Sequence, residues 1–142
     1  MFIRYGVGIV ATTYTLLGVI GFLPVEGINS MHHEGIGVHY LFNIIAINVV
    51  HNLIHLGIGI SGLFAMRTLR GAQMWGKIVG VVLLLVFAAG MVQAVMEGFP
   101  RDQWLLGIVP LNSPGHTLHL ATGVVALYLG LAKASAQTGV QK

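Results

Sequence analysis

The chain has no cysteine among its 142 residues, which excludes disulfides, thiolate nucleophiles and iron–sulfur clusters together. Charge is almost as scarce. Asp, Glu, Lys and Arg make up 8% of the residues, against about 25% in a soluble domain. A surface so poor in charge predicts contact with lipid. There is no paired carboxylate inside an apolar run, no serine elbow, no phosphate loop and no H-E-x-x-H motif, so the sequence predicts no enzyme. The pI near 9.6 does not point to nucleic acid, because the basic residues are scattered at the ends of apolar runs and form no patch.

What the chain does have is hydrocarbon. Hydrophobic residues reach 56% and mean hydropathy is +0.85. Four apolar runs, about 5–23, 43–66, 76–97 and 114–133, each approach the roughly 20 residues that cross a bilayer core. Backbone polar groups in lipid must be satisfied internally, so all four are expected to be helices. The first run is too long, and lacks the A-x-A site, for a signal peptide, and is expected to be a retained span. Pro24 and Glu26, and Pro100 and Pro110, mark the longer connections 24–42 and 98–113. Gly57, Gly59 and Gly62 match a dinucleotide fingerprint formally, but they fall inside an apolar helix with no strand before it.

Orientation follows from the charges. Arg4, Arg67, Arg70, Lys77, Lys133 and Lys142 flank one side of the spans, and of the basic residues only Arg101 flanks the other, together with Glu26, Glu34, Glu97 and Asp102. By the positive-inside rule both termini are expected to be cytoplasmic, in a bacterial cytoplasmic or other energy-transducing membrane. Trp75 and Trp104 are expected to anchor the two interfaces.

A pattern recurs 64 positions apart. Residues 46–59 (AINVVHNLIHLGIG) and 110–123 (PLNSPGHTLHLATG) share Asn48/Asn112, His55/His119, Leu56/Leu120 and Gly59/Gly123. The chain therefore reads as one all-α membrane domain, 1–142, a four-helix bundle of two tandem hairpins at about 1–66 and 76–133. Two spans per copy make the repeat parallel. All seven histidines fall in the extracytoplasmic half, with His55 about 18 Å from Arg67 and His119 about 21 Å from Lys133 at helical rise. Asn48, His51 and His55 lie on one stripe, and Asn112, His116 and His119 on another.

Ionisable groups at this depth are functional candidates. Three readings stand side by side. His55 and His119 hydrogen-bond across helices, with Asn48 and Asn112 as structural polar residues at the mouth. Alternatively, His55 and His119 ligate haem iron or a chlorophyll magnesium. Or His51, His55, His116 and His119 hold a transition metal such as zinc or copper. The loop histidines His32, His33 and His39 offer a second, outer metal site.

The stretches 48–62 (NVVHNLIHLGIGISG) and 109–123 (VPLNSPGHTLHLATG), with Gly21-Phe22-Leu23-Pro24 after the first span, resemble a family of small four-span bacterial membrane proteins. That family, common in actinobacteria and cyanobacteria, is named only as a domain of unknown function. The resemblance covers nearly the whole chain and implies that Asn48, His51, His55, Asn112 and His119 carry the family pattern. An Asn is usual at the place of His116, and His32, His33 and His39 look private to this chain. The family implies a fold and no activity. The function expected is a non-enzymatic accessory or scaffold subunit of a larger membrane complex, in contact with lipid, and the alternative is a subunit carrying haem, chlorophyll or a metal at His55 and His119.

Overall fold

Three of the four described helices start where a small polar side chain replaces the missing intrahelical acceptor, the first helix having no side-chain cap. Asn48 Oδ1 accepts from the His51 N–H at 2.8 Å, Thr68 Oγ1 from the Gly71 N–H at 3.0 Å, and Asn112 Oδ1 from the Gly115 N–H at 3.2 Å. The computed structural model describes residues 1–23, 29–30, 37–98 and 103–133. Four helices dominate it: α1 (Phe2–Ile20), α2 (Val49–Ala65), α3 (Leu69–Glu97) and α4 (Ser113–Leu131). Between them lie short strands β1 (Asn29–Ser30), β2 (His39–Leu41), β3 (Ile45–Ile47), β4 (Gln103–Leu105) and β5 (Val109–Leu111).

The strands correct the all-α expectation. The segment 43–47 was expected to open the second span, but α2 starts only at Val49 because Ile45-Ala46-Ile47 pairs with β2. A short apolar run is compatible with either element, and three-residue strands are too short to show a period of two. The two hairpins are copies of one another. β2–β3 pairs His39 with Ile47 and Leu41 with Ile45, while β4–β5 pairs Gln103 with Leu111 and Leu105 with Val109. Each position in the second is 64 beyond its counterpart in the first. Even the turns agree, with positive φ at Phe42 and Asn43 and again at Leu106 and Gly107. Two-residue hairpin turns whose twist matches the strands need positive φ at both central residues.

α1 packs along α2 and α3 along α4, and the two helix pairs meet through lighter contacts. The hairpin ends are exchanged: β3 touches α4, β5 touches α2, and the two strands touch each other. Glycine allows the helix pairs to close. A Cβ on Gly59 would stand 2.8 Å from the Ala11 carbonyl oxygen, and one on Gly76 would stand 2.6 Å from that of Ala126.

The distribution of polarity is inverted. The apolar core is formed by Val7, Val10 and Tyr14 of α1, Trp75, Val79 and Leu83 of α3, and Leu129 of α4. α2 turns inward only His51, Asn52, His55, Gly59 and Gly62. Meanwhile Ile9, Leu53, Phe64, Leu85, Val95 and Leu131 are exposed. Two of the described helices, α1 and α3, are long and apolar enough to cross a membrane; α2 is apolar but has 17 residues.

Trp75 departs from expectation. It is 7% exposed, donates its indole N–H to Ser61 Oγ at 3.0 Å and lies against Gly62, so it joins α2 to α3 inside the protein instead of sitting at an interface.

Candidate metal centre

Three buried imidazoles meet beneath the hairpins. His51 and His55 lie one turn apart on α2, with ring centroids 4.4 Å apart, and His119 of α4 faces them at 5.8 and 6.2 Å. Their exposures are 2%, 2% and 3%. One ring nitrogen from each falls within 4.8 Å of the others.

The hydrogen-bond inventory of these rings is incomplete in one direction. His55 has no partner at either nitrogen, and the Nδ1 atoms of His51 and His119 have none. Buried polar atoms are nearly always satisfied, so four orphan nitrogens in one cluster call for an explanation. A metal ion supplies one. Metal–imidazole bonds of about 2.0–2.1 Å set donor atoms about 3.4 Å apart, and drawing in a triangle no larger than 4.8 Å to that size moves each ring by at most about 0.8 Å. The surroundings would hold the ligands in place. The Ala46 and Pro110 carbonyls, one from each hairpin, face the His51 ring. Carbonyl partners of this kind fix the tautomer of a ligating histidine and leave the other nitrogen free to bind.

Tyr14 of α1 closes the site from behind, with its ring edge 5.0 Å from that of His55 by centroids. Its hydroxyl is already committed. Thr122 Oγ1 spends its proton on the Leu118 carbonyl at 2.6 Å, so at 2.8 Å Tyr14 is the donor to Thr122. A cavity of about 60 Å³ adjoins the three rings, and Ile54, Ile58, Val82, Val86, Leu105 and Leu111 are among the aliphatic residues that complete its wall.

His51 stands beside both His55 and His119, the two rings expected to ligate a macrocycle. The geometry divides the expected metal set. His51, His55 and His119 come together, but His116 does not join them: its Nε2 pairs with Gln103 Oε1 at 2.9 Å, and its ring lies against Gly90 and near Phe87. His39 sits half-buried in β2 and is not part of the cluster, and His32 and His33 lie outside the described residues. Asn48 and Asn112 are the N-caps of α2 and α4.

The family described as Domain of unknown function (DUF4383) matches residues 4–132. The chain belongs to this family. No curated protein and no solved structure matches it. Within this member, three participants carry no obvious signal in the repeated motif. Gln103 is the repeat counterpart of His39, Asn52 is that of His116, and Tyr14 lies outside the motif altogether. Asn52 and Gln103 are each 1% exposed and Tyr14 is fully buried.

Proposed function

We propose that this protein is a small polytopic membrane protein, a four-helix bundle, that holds one transition-metal ion on His51, His55 and His119 in the half of the bundle under its β-hairpins. The observation that carries this reading is the convergence of orphan imidazole nitrogens from both repeats at one buried point. The role is binding rather than catalysis, as a metal-carrying subunit of a larger membrane assembly.

The inverted polarity supports the membrane location. Lipid-like side chains cover the outside of the helices, while Asn48, His51, Asn52, His55, Asn112, His116 and His119 are all turned inward. Polar groups in membrane helices face the interior of a bundle in this way. α3, about 43 Å long at helical rise, exceeds the hydrocarbon thickness and carries Arg70 and Lys77 in its first turns, where long basic side chains reach the headgroup level. The basic α2–α3 connection then faces the cytoplasm, as do both termini, and the hairpins face outward.

The test is purification in mild detergent followed by elemental analysis and a visible spectrum. The reading expects close to one transition-metal ion per chain, lost in His55→Ala and His119→Ala, with no Soret or chlorophyll band. A preparation that neither carries nor takes up a metal overturns it and returns the three rings to a purely structural part in an accessory scaffold.

A further inference from the structure

The same three imidazoles also discriminate between ions, and we infer that the ion they select is cuprous copper. This rests on the metal-binding reading above. Two features of the site decide it: its charge and its coordination number.

Among the described residues the charge of the site is zero. Each ring offers a nitrogen lone pair as a neutral base, and the described lining of the adjoining cavity holds only these rings and aliphatic side chains. Glu97, the one described acid, lies exposed at the end of α3. The desolvation cost of an ion in a low-dielectric interior grows as the square of its charge, so a dication with no counter-anion costs roughly four times what a monocation does. Zn²⁺, Fe²⁺ and Ni²⁺ in proteins usually meet thiolate or carboxylate ligands that offset this cost. Here, nothing in the wall does so. For Cu⁺ the cost left without compensation is about a quarter of that.

The coordination number is three. A tetrahedral zinc site with three histidines keeps water in its fourth position. A buried water needs two to four polar partners. The fourth direction here opens on Ile54, Ile58, Val82 and Val86, which offer none. Tyr14 does not line that face, and its hydroxyl is hydrogen-bonded to Thr122 Oγ1. Cu⁺, with a filled d shell, is stable in a three-coordinate all-imidazole site and tolerates a dry fourth face. Imidazole is an accepted copper donor, although thioethers and thiolates are softer.

The experiment is a pair of competition titrations on the full chain in detergent. One, under anaerobic conditions with ascorbate, sets Cu⁺ against a coloured cuprous chelator; the other sets Zn²⁺ against a zinc chelator. The inference expects one Cu⁺ per chain to be withdrawn from its chelator, and Zn²⁺ to bind at least about 100-fold more weakly. X-ray absorption of the copper-loaded protein should give a three-coordinate, all-nitrogen cuprous edge. His51→Ala and His119→Ala should abolish uptake, while His116→Gln, which lies outside the cluster and can still pair with Gln103, should retain it. Retained uptake by His116→Gln also shows that substitution at this depth does not by itself unfold the bundle. Tighter binding of Zn²⁺ than of Cu⁺ at these three rings overturns the cuprous assignment and leaves the metal site standing. Uptake of neither ion by the wild-type chain overturns both.

Discussion

Asn48 and Asn112 each do two jobs, and the second job is done for the opposite repeat. Asn48 caps α2 through Oδ1 and donates Nδ2 to the Ile108 carbonyl at 2.7 Å; Asn112 caps α4 and donates to the Ile44 carbonyl at 2.8 Å. Ile44 and Ile108 close the two equivalent turns. The pair therefore ties each helix start to the other repeat's hairpin and sets the height at which His51, His55 and His119 meet.

Aspartate separates the two jobs. Asn48→Asp keeps the cap acceptor but loses the donor and turns a charge toward the Ile108 carbonyl, whereas Asn48→Ala loses both. A missing cap costs about 1 kcal/mol, and a carbonyl left buried without its donor costs about 1–3 kcal/mol more. Asn48→Asp is therefore expected to destabilise the protein despite its good cap, and Asn112→Asp to do so to a similar extent. Thermal unfolding in detergent reads this. An Asn48→Asp variant as stable as wild type would mean that the clamp contributes nothing.

Two glycines on one helix make opposite predictions. Gly57 of α2 has nothing within 4 Å of an added Cβ, while a Cβ on Gly59 would drive into Thr15 and the Ala11 carbonyl of α1. Gly57→Ala should stabilise the chain by up to about 1 kcal/mol through helix propensity. Gly59→Ala should force α1 from α2 and destabilise it. Unfolding midpoints of the two variants check this directly, and equal shifts would contradict the close packing of the first hairpin.

The repeat was legible wherever it was written in the same residues: Asn48/Asn112 and His55/His119 announced themselves. The hairpins were not legible, because Phe42 and Leu106 occupy left-handed turn positions that ordinarily advertise themselves as Gly or Asn. Which histidines converge was legible only in part. Spacing puts His51 with His55 and His116 with His119 equally well, and the rotation of each helix about its axis decides between them. His51 has Gly115 as its repeat counterpart, and His116 has Asn52. The third ligand thus comes from a position where the copies differ, which no internal comparison could single out.

The membrane reading makes a prediction of its own at Leu85. This residue of α3 is 64% exposed, among neighbours of the same character. In water, Leu85→Lys on an open helix face would be close to neutral. In a bilayer, a lysine near the middle of a span costs about 2.5–3.5 kcal/mol. The expected outcome is a sharp fall in membrane-inserted protein and in detergent stability. Full recovery of a folded Leu85→Lys variant from a detergent-free soluble fraction would contradict a lipid-facing α3.

Filling the cavity separates ion binding from packing without touching a ligand. Val86 lies on the wall beside the three rings and is half-buried, so its side chain has room to grow inward. Val86→Phe would occupy much of the roughly 60 Å³ available and lay a ring across the open face of the cluster. Overpacking of this sort costs about 1–3 kcal/mol, which a folded bundle with the Asn48–Asn112 clamp intact should survive. Metal content should nevertheless drop, because the imidazoles could no longer close by the fraction of an ångström that coordination requires. Val86→Ala, which only enlarges the space, should leave the metal content near that of the wild type. If Val86→Phe binds as fully as wild type while remaining folded, the ion reaches the histidines by another face and the cavity has no part in loading.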